Sequence, residues 1–236
     1  GSLLTVNSVL TTLGSGKFTL TNDMLVKGNM ILTGTGASTC TNVIDINGDL
    51  DVGAGTSLSR IMGGFDDIFV GGNLIVNGTL SQLNSQEIRL DGANTNLSGT
   101  GTIANANQFI LSGGNKTILA GTTFSITAVD VLISGAITVT NNGTATIAGH
   151  LDGNNAASKW INAANSRLNY GSANKIFATN GFFDASANGN TVSVPIAKSP
   201  GGSNISFGDT DKDFINVEAW NISKDDYLVI TNGTAI

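Results

Sequence analysis

Apolar and polar residues alternate in short runs, and one run recurs along the chain at a nearly constant interval. Each copy has the form apolar-x-apolar-x-Gly. The closing residues are Gly28, Gly48, Gly72, Gly92, Gly113 and Gly135. They are 20 to 24 residues apart. Alternation with a period of two predicts β-strands, and a fixed interval of this length indicates a repeat architecture.

The alternation often continues through the glycine. Ile68 and Val70 precede Gly72, and Leu74 and Val76 follow it in the same phase. We therefore expect the repeat glycine to occupy an inward position at a corner, where the missing side chain leaves the backbone free to bend.

Two copies break this phase. Polar residues, Asn94 and Asn96 in one copy and Asn115 and Thr117 in the next, stand where apolar residues are expected. They predict a turn or a polar ladder at these places.

These patterns predict an all-β fold, a parallel β-solenoid with coils of about 20–24 residues stacked on one another. The period of two, the 31 glycines and the many β-branched residues exclude a helical repeat. A sandwich of antiparallel hairpins would show turn signals roughly every 8–12 residues, with no reason for a constant phase across a glycine.

The chain divides into three predicted segments. Residues 1–20 form an N-terminal strand or cap, residues 21–194 the solenoid, and residues 195–236 a distinct C-terminal cap or strand-donating segment. The last division rests on Pro195 and Pro200, which bracket a linker before a more charged tail. Unpaired strands at the ends of a solenoid invite another chain to add on.

Composition narrows the possible partners. Only 12% of the residues are charged, and the 11 basic residues are spread thinly over a chain of net charge −6. This excludes electrostatic binding to nucleic acid, and the absence of a long apolar run excludes membrane insertion. Cys40 is the single cysteine, so no internal disulfide is expected. A surface rich in Thr, Asn and Gly is typical of a secreted or cell-surface protein.

Large apolar residues recur three places before the repeat glycine, where the alternation points outward. Leu25, Phe69, Ile110 and Leu132 stand there. Strands that are apolar on both faces are normally covered on both faces. We interpret this column as an assembly surface, covered either by the chain's own tail or by another protomer.

Carboxylates suggest a calcium site in two places. Asp67 and Glu87 stand five places before the glycine, one coil apart, where like charges repel unless a cation or solvent screens them. Asp209, Asp211 and Asp213 have the alternate spacing of a calcium loop, but the glycine and glutamate of an EF-hand are missing. A solvated acidic face and an exposed acidic turn are the alternatives. No other cofactor is expected.

No residues indicate catalysis, and we predict that the protein is not an enzyme. His150 is the single histidine, in a glycine-flanked turn. Glycoside hydrolases need paired carboxylates on one face. Asp45, Asp49 and Asp51 come closest to such a pair, but neighbouring coils place Asn, Ile or Gly beside them.

Aromatic residues cluster in the C-terminal part of the chain. Trp160, Trp220 and Tyr227 are candidates for stacking on a glycan, because an aromatic face packs well against a sugar ring. Packing against the end of the core is the alternative role for the same side chains.

Several stretches resemble known repeats. VGGNLIVNGTLS and ISGAITVTNNGTATIAG resemble the Gly/Asn/Thr-rich β-solenoid repeats of large secreted bacterial cell-surface adhesin or filament proteins, and the resemblance extends over about residues 20–194. GNLIVNGTLSQLNSQEIRL also resembles a segment of phage tail fibres. The resemblance implies a solenoid fold and an extracellular location. The outward apolar column, the unguarded terminal strands and the missing catalytic residues favour a non-enzymatic structural rod that self-associates into a filament or surface layer. A module that binds glycan or a host surface and a tail-fibre segment are the alternatives.

Overall fold

The computed structural model describes a parallel β-solenoid of about 8 coils. The described residues are 3–60, 67–82, 87–104, 106–127, 130–170, 176–177, 182–185, 187–189, 191–195, 197–198, 205–206 and 228–231. Within these ranges every regular element is a β-strand, as the period of two predicted.

Each coil contributes one strand to each of three parallel sheets. The first sheet contains β1 (Leu4–Val6), β4 (Met24–Val26), β7 (Ile44–Ile46), β10 (Ile68–Val70), β13 (Glu87–Leu90), β16 (Gln108–Leu111), β19 (Asp130–Ile133), β22 (His150–Gly153) and β25 (Ile176–Phe177). The second contains β2 (Leu10–Thr12), β5 (Met30–Leu32), β8 (Leu50–Val52), β11 (Leu74–Val76), β14 (Thr95–Ser98), β17 (Lys116–Ile118), β20 (Thr138–Asn141), β23 (Lys159–Asn162) and β26 (Phe183–Asp184).

The third sheet contains β3 (Thr19–Leu20), β6 (Ala37–Cys40), β9 (Ser57–Arg60), β12 (Thr79–Gln82), β15 (Thr102–Ala104), β18 (Thr123–Ile126), β21 (Thr144–Ile147), β24 (Arg167–Tyr170), β27 (Thr191–Pro195) and β30 (Leu228–Thr231). A separate antiparallel pair joins β28 (Ala197–Lys198) to β29 (Ile205–Ser206). The strand β30 lies parallel to β27, so part of the C-terminal segment continues the third sheet. The boundary at residue 195 stays a prediction.

One continuous core runs along the axis of the coil stack. Ile44, Ile68 and Ile88 pair directly in successive coils of the first sheet, and each is 0% exposed. Burial of one such side chain contributes about 1.5–3 kcal/mol. Because every internal coil repeats the same inward positions, the coils stabilise one another mainly through their nearest neighbours.

Gly72 shows a reason for glycine at the corner that the sequence did not indicate. A Cβ placed on Gly72 would lie 2.5 Å from the carbonyl carbon of Gly48, in the preceding coil. The glycine is therefore needed because successive coils approach closely at this corner. Alternation along one strand gives no information about this axial distance.

The two breaks in phase correspond to a turn and a polar ladder, as predicted. Asn94 lies in a turn with a φ of 52°, a left-handed conformation that asparagine tolerates. The Asn96 N–H donates to the side-chain oxygen of Asn73 at 2.9 Å. The Asn115 side-chain oxygen likewise accepts from the N–H of Thr138 at 2.8 Å.

Candidate functional site

The outward apolar positions of the first sheet form one column in direct register. The column runs through Leu25, Asp45, Phe69, Arg89, Ile110 and Leu132. Leu25, Phe69 and Leu132 are half-buried, whereas Ile110 is only 3% exposed. Ile110 is thus already covered within the chain. An assembly role for the other three side chains stays a prediction.

Arg89 supplies a positive charge between the two carboxylates that suggested calcium. Its guanidinium pairs with Glu87 and lies 3.8 Å from Asp67. The same guanidinium lies over the ring of Phe69, 5.8 Å from its centroid. The positive charge of Arg89 therefore offsets the repulsion between Asp67 and Glu87, the effect for which a calcium ion was considered. Across the described ranges, no group of three or more His, Cys, Asp or Glu side chains is arranged to hold a metal.

The environment of Asp67 makes this cluster sensitive to pH. Burial raises the pKa of Asp67, and the Glu87 charge acts in the same direction. The N–H of Glu87, which donates to Asp67 at 3.2 Å, and the charge of Arg89 lower it. The second calcium candidate, Asp209, Asp211 and Asp213, lies outside the described residues.

Replacing Arg89 by methionine is expected to destabilise the protein by about 1 kcal/mol at neutral pH, a small value because the pair is partly exposed. The pKa of Asp67 then rises further above its unfolded value, so more stability is lost as the pH rises through the folded pKa. The difference in the free energy of unfolding between wild type and the variant should therefore shrink as the pH falls toward 4. Urea unfolding at several pH values measures it. A deficit that grows on acidification would contradict this assignment.

The three aspartates considered for catalysis do not share one face. Asp45 points outward from the first sheet and Asp51 from the second, and burial raises the pKa of both carboxyls. Asp49 lies at the corner between these sheets, where its side chain accepts the N–H of Asn73 at 2.6 Å. Asp45 and Asp51 therefore do not form the facing pair that glycoside hydrolysis requires.

Asp49 belongs to the same ladder as the Asn73–Asn96 hydrogen bond, in coils where the sequence predicted no ladder. The side-chain oxygens of Asn29, Asp49 and Asn73 each accept a main-chain N–H from the next coil, at 2.6–2.9 Å. Each of the three directly follows a glycine in the sequence. A polar residue at that fixed place was the signal that could have revealed the ladder. The ladder gives main-chain N–H groups an acceptor at a corner, where the hydrogen bonding of the sheets is interrupted.

Trp160 lies in the core. The side chain is 0% exposed, and its indole Nε1 donates to Oδ1 of Asn162 at 2.9 Å. Asn162 also accepts from Nδ2 of Asn141 at 3.1 Å. This is the packing role that was the alternative to glycan stacking, since no face of the indole is open to a sugar. Trp220 and Tyr227, the other two candidates, lie outside the described residues.

A second polar group in the core is Lys116, which the sequence reasoning also missed. Its side chain points inward from β17 and the residue is 1% exposed. Its Nζ donates to the carbonyl oxygens of Gly92, Ser112 and Gly114 at 2.6, 2.5 and 2.7 Å. Burial lowers the pKa of Lys116 to about 8, against an opposing effect of Asp91. The ammonium thus joins the carbonyls of two coils at one corner.

The first coil presents the most exposed apolar surface in the described part of the chain. Leu3, Leu4, Val9 and Leu13 are 54%, 42%, 48% and 72% exposed. The strands β1, β2 and β3 are the first in their sheets and pair on one side only within the described residues. Within the described residues, the outer side of these three strands has no strand partner, and the apolar side chains beside it are exposed.

No family model, no curated protein and no solved structure matches this chain. No helix among the described residues is long and apolar enough to cross a membrane. The fold and the geometry of these surfaces therefore carry the functional argument.

Proposed function

We propose that the protein is a non-enzymatic extracellular structural rod, and that copies of this 236-residue chain associate end to end through the first coil. The exposed apolar side chains of that coil are the observation that carries the proposal. Leu4 pairs in register with Met24, one coil further along the stack. Met24 is 1% exposed, because coils lie on both sides of it, whereas Leu4 is 42% exposed.

A coil of a second copy fits this end better than an unrelated surface does. Its three parallel strands would continue β1, β2 and β3, pair their free main-chain groups and cover the apolar side chains in one step. The described part of the first coil carries a single charged residue, Lys17, so this end of the stack has no cluster of like charges. A head-to-tail contact of this kind repeats without closing and builds a filament.

The Thr-, Asn- and Gly-rich composition, with only 12% charged residues, and the resemblance to secreted surface repeats support the extracellular location. A β-solenoid is also compatible with an adhesin-like role. That alternative has less support here, because Trp160, the one glycan candidate that the structure describes, lies in the core.

Sedimentation velocity over a concentration series tests the proposal. We expect wild type to form species larger than one chain, and Leu4→Asp to shift them toward the monomer, because a carboxylate at the coil edge opposes stacking. Leu13→Asp, which changes a side chain outside the regular strands, is a second test variant. Leu119→Asp is the matched control, since Leu119 is also exposed, at 39%, but lies far along the stack.

The control should associate as wild type does, and circular dichroism should show the same β-content in all four proteins. A wild type that stays monomeric throughout the series would refute end-to-end association. An equal loss of association in the Leu119 variant would refute the assignment to the first coil.

A further inference from the structure

The outward face of the third sheet differs in chemistry from the other two. In the strands from β6 to β21, every outward residue is Ser, Thr or Ala. The outward face of the first sheet instead carries Asp45, Phe69 and Arg89. The third face is therefore uncharged and covered with short hydroxyl side chains over six successive strands.

The hydroxyl groups form a regular array. Ser57, Thr79, Thr102, Ser125 and Thr146 pair directly in successive coils and are all half-buried. Strand pairing fixes their spacing along the axis at about 4.7–4.9 Å, and outward positions along one strand are separated by about 6.6–6.8 Å.

A second row runs beside the first one. Thr39, Ser59 and Ser81 pair in register, and the Oγ atoms of Ser59 and Ser81 are 2.7 Å apart. Ser81 is buried, so the open part of the array is the first row together with Thr123 and Thr144, which pair with each other on the other side of it. The array repeats in two directions.

We propose that this face binds ice. The oxygen atoms of an ice surface form rows of comparable spacing, and each oxygen donates and accepts hydrogen bonds as a hydroxyl does. Binding to ice leaves the hydroxyl groups hydrogen-bonded to water, so the cost of removing polar groups from water is avoided. The threonines of the row also carry methyl groups, which add apolar contact.

The same features argue against two other occupants. A second copy of the chain would bury the hydroxyl groups with little apolar surface in return. A glycan-binding face generally presents aromatic rings, and none stands among the outward residues of β6 to β21.

The test measures thermal hysteresis and the inhibition of ice recrystallisation with the purified full chain. Thr102→Arg places a long charged side chain in the middle of the first row, and Thr79→Arg does so one coil away. Thr140→Arg is the matched control, because Thr140 is a half-buried outward residue of the second sheet. We expect both activities in wild type and in the control, and their loss to buffer values in the two test variants.

Several results would overturn the proposal. Ice grains could grow in the wild-type solution as fast as in an equal mass of serum albumin, or the Thr140 control could lose as much activity as the Thr102 variant. Retention of wild type on insoluble cellulose or chitin without any effect on ice would assign the face to glycans instead. The Leu4→Asp variant separates this proposal from the proposed function, because ice activity should persist in it even where end-to-end association is lost.

Discussion

Replacing Lys116 by methionine lowers the free energy of unfolding by about 3 kcal/mol. Methionine fills a similar volume but leaves the carbonyl oxygens of Gly92, Ser112 and Gly114 without the ammonium donor. A buried polar group left without a partner costs about 1–3 kcal/mol, and part of that loss is offset because the buried charge is removed. Urea unfolding at pH 7 measures the change.

Lys159→Met is the control, because Lys159 is an exposed lysine of β23. Its stability should lie within about 0.5 kcal/mol of wild type, as for most surface substitutions. An equally small effect in Lys116→Met would contradict the importance of the three hydrogen bonds.

The same residue predicts a dependence on alkaline pH. The pKa of Lys116 is lowered to about 8 from an ordinary value of 10.5. Between these values the unfolded chain binds more protons than the folded protein, so the free energy of unfolding should rise with pH. Lys116→Met lacks this contribution, and the gap between wild type and variant should widen from pH 8 to pH 10. A difference that narrows would show that the pKa of Lys116 is raised above its ordinary value in the folded protein instead of lowered.

Trp160→Ala is the second large effect, with an expected loss of about 3–5 kcal/mol from the cavity left by the largest fully buried side chain. The variant also removes the indole donor to Asn162. Trp160→Phe separates the two contributions, since it restores most of the volume but not the hydrogen bond, and should cost about 1–2 kcal/mol. An alanine variant as stable as wild type would show that the indole is not in the core.

The sequence predicted the parallel solenoid and the register of its columns because both depend on short-range patterns. The interval between repeat glycines equals the length of a coil, so residues at one offset from successive glycines become axial neighbours. For this reason Phe69, Arg89 and Ile110 lie in one predicted column. Asp67 and Glu87 also lie close together, as their offset from the repeat glycine predicted. Arg89, which pairs with both carboxylates, stands only two residues after Glu87.

The polar interior could not be predicted in this way. Asn141 and Asn162 stand at inward positions, where the alternation predicts apolar side chains. Lys116 is inward because the phase shifts by one residue after Gly113, which turns Thr117 outward. Their partners lie in other coils or at corners, so the local pattern does not show how the buried groups are satisfied. The burial of Ile110 and the axial contact of Gly72 likewise depend on parts of the chain that only the folded coil brings together.

Negative-stain electron microscopy of wild type and Leu4→Asp shows whether the rods join end to end. Eight coils at about 4.8 Å each give a rod of about 40 Å. We expect wild-type rods to join end to end, with lengths that are multiples of one rod and increase with concentration. We expect Leu4→Asp to give single rods. Wild-type particles of one rod length at every concentration would contradict end-to-end association.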